Sequence, residues 1–389
     1  MKDKSNSKKL LSSSCRLCGY SLPEKAIYQL DNIPRGVQYF SKEEDLKNDN
    51  GIIIKLFQCL GCGHIQLDSE PVVYEQDFTS ATKYSRCMLN YRKGQIKDFI
   101  DKYDLKGKEI LDVGCGDGHM LDIIRDQGAV GIGVDISVKA LEAARMCGHI
   151  VYQEYVSRQS KIERSPFDAF ICNDVIEHVS DIRDFLLGIA NNLKPRGIGM
   201  LQAPSFEKML ETRRFYDFIP DHIHYFTLDT LRLAFKLSGF EVINSERNRD
   251  GENLTIIARK RLITDFGPMR TNQNAFVVNI CEYIKKHKAD GRRVAIWGAS
   301  MQTIILASII SLDIAYVIDS AAYKQNRLTP VSHLPIVSPE TLKTDPVDVI
   351  IINTPIYEEE ILEQIMEVEK FEGTIASCVD GKIEVLRKA

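Results

Sequence analysis

Between residues 107 and 202 the chain alternates short apolar runs with amphipathic stretches. Ile110–Val113, Val130–Val134, Phe167–Asn173 and Gly197–Gln202 are apolar runs of strand length. Met120–Gln127, Val138–Met146 and Ile182–Leu193 repeat apolar positions at helical spacing. Strands separated by helices predict a doubly wound, largely parallel α/β sheet. A helical pattern from about Tyr74 to Tyr103 precedes it. Lys194-Pro195-Arg196-Gly197 reads as a turn that stops the last of these helices.

After about Lys260 the pattern restarts. Thr264–Met269, with Gly267-Pro268 inside it, reads as a linker. A helix is expected over Asn274–Lys288, a strand over Arg293–Trp297, a turn at Gly298-Ala299-Ser300 and a helix over Met301–Ile310. Strands at Ala315–Asp319 and Val347–Asn353 and a helix at Tyr357–Val368 complete a smaller Rossmann-like unit. Its crevice would lie near Gly298, Asp319 and Asn353. A chain of 389 residues is long enough for two or three domains. The expected division is 1–70, 71–262 and 263–389.

The first strand of the central pattern runs into Asp112-Val113-Gly114-Cys115-Gly116-Asp117-Gly118. Glycines at 114, 116 and 118 let the backbone turn sharply and approach a ligand closely. About twenty residues on, Gly131–Asp135 is a second strand ending in an acid, which suits ribose hydroxyls. The turn lacks the G-x-G-x-x-G spacing that brings a pyrophosphate onto a helix N-terminus. A nucleoside without a diphosphate therefore fits better than a dinucleotide. Asn173-Asp174 and Glu177-His178 follow the third strand, where the crevice opens; contact with a ligand and capping of the next helix are both open readings. Trp297, the single tryptophan, ends a strand and reads either as core or as a stacking surface.

Composition narrows the class. Apolar residues make up 44% and charged residues 27%, as in ordinary globular proteins. A net charge of −4 and a pI near 6.1 give no basic footprint for nucleic acid. The longest apolar stretch, Ile304–Ile310, is too short to span a bilayer. Lys2, Lys4, Lys8 and Lys9 are not followed by an apolar signal core, so a cytoplasmic location is expected.

Six of the ten cysteines are scattered and read as buried thiols. The other four form two C-x-x-C-G turns, Cys15–Gly19 and Cys59–Gly63. Each turn puts two thiolates on one side of a knuckle, and two knuckles supply four sulfurs for a tetrahedral zinc. A closed four-cysteine site is structural, so this zinc is assigned to folding. A strand is expected from Gly51 to Gln58 between the knuckles, and His64 reads as a bystander.

The glycine turn with Asp135 resembles motif I of the class I S-adenosylmethionine (SAM) methyltransferases. The order of parts resembles the nucleotide-sugar C-methyltransferases. The points of resemblance are the two knuckles with Cys59–Leu67, motif I, Pro220–Phe226, Gly291–Ala299 and Tyr323-Lys324-Gln325. The resemblance implies that SAM is held in the central domain at Asp112, Gly114, Cys115, Gly116, Gly118 and Asp135; Ile136, Asn173, Asp174 and His178 are further candidates for it by their place after the strands. It also implies a small-molecule acceptor, a 4-keto-6-deoxy sugar on a nucleoside diphosphate, with neither nucleic acid nor membrane as partner. The C-terminal half would help to hold the nucleotide. The family's histidine base corresponds to His222, and its preceding Glu to Asp221. The family pattern's tyrosine and first histidine are Ile219 and Pro220 here. The C-terminal turn Gly298–Thr303 lacks the family's Lys and Gly.

A carbon nucleophile needs a base for the proton beside the ketone, and donors for the enolate oxygen. His222 suits the base because an imidazole near pKa ~6.5 is largely neutral at pH 7. His224, two residues on, competes with it. Tyr225 and Tyr84 are candidate enolate donors. An O- or N-methyltransferase is the alternative reading.

Overall fold

The computed structural model describes residues 14–37, 43–70, 72, 85–310, 313–378 and 381–388. The chain divides into two compact units, Met1–Leu262 and Ile263–Ala389.

In the first unit, β1 (Tyr28–Ile33), β2 (Ile52–Gln58) and β3 (Ile65–Leu67) follow one another as an antiparallel meander. Then α1 (Arg86–Lys102) begins after Ser85, whose hydroxyl accepts from the Met88 N–H. The helical pattern expected from Tyr74 falls partly outside the described residues. Strands and helices then alternate: β4 (Glu109–Val113), α2 (His119–Asp126), β5 (Val130–Asp135), α3 (Val138–Met146), β6 (Ile150–Gln153), β7 (Phe167–Asn173), α4 (Ile182–Asn191) and β8 (Leu193–Pro204). The remainder is α5 (Phe206–Thr212), β9 (His224–Tyr225), α6 (Leu228–Leu237), β10 (Phe240–Asn248) and β11 (Asn253–Lys260).

The main sheet has the order β10-β11-β8-β7-β4-β5-β6. The five strands from β8 to β6 are parallel, and β11 runs antiparallel between β8 and β10. Successive side chains of β4 serve opposite faces, as a strand's period of two requires. Leu111 and Val113 join Ile132, Phe170 and Leu186 on one face, while Ile110 joins Ile100, Leu121 and Ile171 on the other. Each such buried side chain contributes roughly 1.5–3 kcal/mol.

The turn expected at Lys194–Gly197 sits inside a longer strand. Phe167 pairs with Leu193 and Ala169 with Ile198, so these four residues bulge out of β8 and the pairing resumes. Arg196, at φ +62°, makes that reversal.

The small N-terminal sheet has the order β1-β2-β3-β9. Its last strand comes from far along the chain: Ile65 pairs with Tyr225 and Gln66 with His224. Ile54, Leu56, Ile65 and Leu67 pack with Phe206, Met209, Phe218 and Tyr225.

The second unit opens with α7 (Gly267–Ala289). Gly267-Pro268 is therefore the helix start and not a linker; proline suits the first turn, where its missing N–H has no helical partner. Then come β12 (Val294–Trp297), α8 (Met301–Ile310), β13 (Val317–Ile318), β14 (Arg327–Leu328) and β15 (Pro335–Val337). A short α9 (Thr341–Thr344), β16 (Val349–Ile352), α10 (Glu358–Glu363), β17 (Thr374–Ser377) and β18 (Glu384–Arg387) finish it. The last turn of the helix expected over Tyr357–Val368 widens to π geometry at Gln364–Val368. The sheet order is β14-β15-β13-β12-β16-β17-β18, with a parallel centre and antiparallel edges. Trp297 is buried in the core of this unit, not on a stacking surface.

Candidate active site

The site of the first unit lies where β4 and β7, neighbours in the sheet, send their crossovers to opposite sides. Gly114, Gly116 and Gly118 have φ of +78°, +51° and +94°. A Cβ on Gly114 would stand 2.4 Å from Val175 Cγ2, so the turn fits under the segment after β7 only as glycine.

Asp135 braces this turn. Its Oδ2 accepts from the Gly116 N–H at 2.9 Å and its Oδ1 from the Ser137 N–H at 2.8 Å. Each oxygen keeps a further lone pair for a hydroxyl. Asp112 is buried and its Oδ2 has no partner. Burial, then the nearby Asp135 charge, push its carboxyl up to about 8, against the pull of Arg92. Ile136 is 64% exposed beside Asp135, an apolar surface at the crevice mouth. Cys115 is buried; a Cβ on Gly133 would lie 2.5 Å from its Sγ, so the thiol packs beneath the turn and only the backbone faces outward.

Asn173 and Asp174 are held by a residue the sequence reading missed. Buried Arg92 donates from Nη1 to Asn173 Oδ1 at 3.0 Å and to Gln202 Oε1, and from Nη2 to Asp174 Oδ2 at 3.2 Å. The available signal was a charged residue one turn before Ile96 on the buried stripe of α1.

Glu177 and His178 lie on a single 3₁₀ turn, Ile176–His178. Neither Asp174 nor Glu177 caps the following helix. That role belongs to Asp181, whose Oδ1 accepts from the Asp184 N–H at 2.9 Å. Glu177 is 1% exposed and neither carboxylate oxygen has a partner. Burial raises its carboxyl well above the usual range.

His178 donates from Nδ1 to the Asp221 carbonyl at 2.7 Å. A carbonyl only accepts, so the proton sits on Nδ1 and Nε2 keeps the lone pair. The His222 ring stands edge-on to His178, with centroids 4.8 Å apart. Burial, reinforced by His178, lowers His222 to about 3. Asp221 orients a ring through its main chain; its Oδ2 accepts from the Val37 N–H at 3.2 Å, and Oδ1 is unpartnered. His222 also lines a cleft of about 260 Å³ with Ser205, Arg214, Tyr216 and Glu252. A cleft of similar size at the opposite strand ends, around Lys108 and Arg259, lies apart from these groups.

His224 and Tyr225 are placed for other work. The His224 ring donates from Nε2 to the Val179 carbonyl at 2.9 Å, and its Nδ1 meets His64 Nε2 at 3.0 Å. With both nitrogens engaged and 2% exposure, it has no lone pair left for a substrate proton. The Tyr225 hydroxyl closes onto the backbone of Ile219, accepting from its N–H at 3.0 Å and donating to its carbonyl at 3.2 Å. Tyr84 lies outside the described residues.

Cys15, Cys18, Cys59 and Cys62 converge, with Cys15–Cys62 and Cys18–Cys59 sulfurs 3.7 and 3.6 Å apart. A tetrahedron with bonds of 2.3 Å has edges of about 3.8 Å, so the donors fit zinc. Both knuckles close alike: Gly19 N–H donates to Cys15 O and Gly63 N–H to Cys59 O, each at 2.8 Å. Both glycines have positive φ, +79° and +77°. His64 is not a ligand, yet it is no bystander, since its ring meets His224.

Comparison with known proteins agrees with this architecture. Residues 88–245 match a family model described as a methyltransferase domain, and residues 264–379 one described as a C-methyltransferase C-terminal domain. Similar curated proteins include the ubiquinone biosynthesis O-methyltransferases of Histophilus somni and Neisseria meningitidis. The first is 32% identical over 31% of this chain and the second 34% identical over 32%. The matches span 53% and 61% of those proteins' own lengths. Similar solved structures include the PH0226 protein of Pyrococcus horikoshii (18% identity, 49% of this chain, 100% of that one, TM-score 0.41). Another is a SAM-dependent methyltransferase of Clostridium acetobutylicum (15%, 45%, 92%, TM-score 0.38). The first unit carries a methyltransferase domain with the class I, Rossmann-like α/β fold.

Proposed function

We propose that this chain is a SAM-dependent C-methyltransferase acting on a ketone-bearing sugar linked to a nucleoside diphosphate. One observation carries the reading: His222, packed edge-on against His178, lines a cleft in the same unit as the braced glycine turn and the unpartnered Asp112. The match of residues 264–379 to a C-methyltransferase C-terminal domain supports carbon as the acceptor atom.

The residues fit the cofactor. Asp112 offers a buried, unpartnered oxygen to its cationic end, Asp135 offers lone pairs to its ribose hydroxyls, and Gly114–Gly118 offer a close backbone. Asn173 and Asp174, fixed by Arg92, wall the same crevice, with Ile136 at its mouth. When bound, SAM supplies a methyl group already electrophilic on its sulfonium.

His222 takes the proton from the carbon beside the acceptor's ketone. Its neutral ring is ready for that task because burial disfavours the imidazolium. The electron pair left by that proton makes the new carbon–carbon bond as the sulfonium bond to the methyl breaks. His178, locked with its proton on Nδ1, packs against the base and holds its plane. Arg214 and Glu252, joined by a two-point ion pair, line the acceptor cleft and orient it. The four cysteines hold a structural zinc.

The curated relatives named for O-methylation favour a second reading, transfer to a sugar hydroxyl. Incubation with SAM carrying a deuterated methyl group and a panel of nucleotide-linked 4-keto sugars decides between them. One labelled methyl on carbon, with solvent deuterium entering the α-position, is expected. Label on oxygen would replace the first reading with the second.

A further inference from the structure

We infer that Glu177, His178 and His222 form a second metal site, separate from the four cysteines, that takes a first-row divalent transition cation. Their donor atoms lie within 4.8 Å of one another. Two histidines and one carboxylate are a donor set for such cations, and three protein ligands leave positions open.

The convergence is built by the main chain. Glu177 and His178 sit on the turn after β7, whereas His222 comes from the segment before β9. The Ile223 N–H donates to the Glu177 carbonyl at 3.0 Å, which fastens one segment to the other. The His178–Asp221 hydrogen bond is the outer support that metal-binding histidines usually have: one ring nitrogen donates to a carbonyl, and the other keeps its lone pair.

Glu177 is the independent observation. A carboxylate at 1% exposure with no hydrogen-bond partner on either oxygen is costly to bury. A divalent cation between it and two imidazoles removes that cost. The ion and the base role are exclusive, because the His222 lone pair serves either the cation or a substrate proton. Bound metal therefore silences methyl transfer; this consequence rests on the proposed function, and the binding itself does not.

The test loads the four cysteines with zinc and then titrates the full-length protein with Co2+ in the absence of substrate. Wild type is expected to take up one further Co2+ per chain, with visible ligand-field bands and no thiolate charge-transfer band. Glu177→Gln and His222→Gln should each weaken that uptake at least tenfold while retaining zinc. Activity should fall with site occupancy and return on mild chelation. Absence of extra cobalt in wild type, or wild-type uptake by both variants, overturns the site. Should Glu177→Gln fail to fold, His222→Gln alone decides. Cobalt uptake without inhibition would keep the site and refute His222 as the base.

Discussion

His64 Nε2 and His224 Nδ1 meet at 3.0 Å inside the protein, joining the second cysteine knuckle to the strand that follows His222. The His224 proton sits on Nε2, facing the Val179 carbonyl, so His64 must be the donor. Burial lowers His64 to about 3 and keeps the pair uncharged. Two residues past Cys62, the knuckle thus reaches the segment that carries His222 by a ring-to-ring bond and by β3–β9 pairing.

Removal of the zinc proposed for the knuckles is therefore expected to affect turnover more than cofactor binding. Chelated protein should melt earlier and transfer methyl groups more slowly. Its SAM affinity, measured by calorimetry, should stay close to that of the zinc-loaded form, because motif I sits on the other sheet. An equal loss of both would show that the knuckles do not act through β9.

His222→Gln removes the proposed base and keeps much of the ring's volume. Transfer should drop by about 10²–10⁴-fold with SAM binding intact. Measuring kcat beside calorimetric affinity checks this, and unchanged kcat would refute the assignment.

With Asp112 against the cationic end of SAM, as proposed, binding is expected to be pH-dependent. Its carboxyl, raised to about 8, is largely protonated at pH 7 in the free protein. A cationic ligand binds the ionised form, so binding releases a proton below that pH. Affinity should rise with pH by up to about tenfold per unit and level off above 8. Calorimetry in buffers of differing ionisation enthalpy reads the proton directly. Asp112→Asn should bind more weakly with a flat profile.

Gly114→Ala should cost more than Gly148→Ala. Both positions have positive φ, +78° and +82°, but a Cβ meets Val175 Cγ2 at 2.4 Å in the first and nothing within 4 Å in the second. Backbone strain of ~1–3 kcal/mol applies to both, and only the first adds a clash. Denaturant unfolding of the two variants compares them.

Arg92→Met should loosen the wall of the cofactor crevice. It leaves buried Gln202 without its donor, at about 1–3 kcal/mol, and releases half-buried Asn173 and exposed Asp174. A lower melting temperature together with weaker SAM binding is expected.

Much of this was legible in the chain itself. Apolar periodicity set out four of the five parallel strands of the main sheet, all but β6, since strand and helix repeats are local properties. Two C-x-x-C-G turns and a glycine turn ending β4 could be read because their function lies in residue spacing along a few positions. Local spacing also drew His224 and Tyr225 into the catalytic reading, as neighbours of His222. What separates them is pairing with distant partners: His64 and Val179 for one, the Ile219 backbone for the other. The Gly267-Pro268 pair misled for a related reason, since the same dipeptide serves a linker or a helix start, and the packing of α7 decides which.

Sequence alone thus determined the alternating elements of residues 110–202, the cysteine knuckles and the glycine turn, all encoded within a few residues of one another. Tertiary structure decided which polar groups share a site. The Ile223–Glu177 hydrogen bond brings Glu177 and His178 to His222, and Arg92 reaches Asn173, Asp174 and Gln202, across separations for which the chain carries no local signal. The availability of a lone pair or a proton at each depends on who its neighbours are, and those neighbours are set by packing.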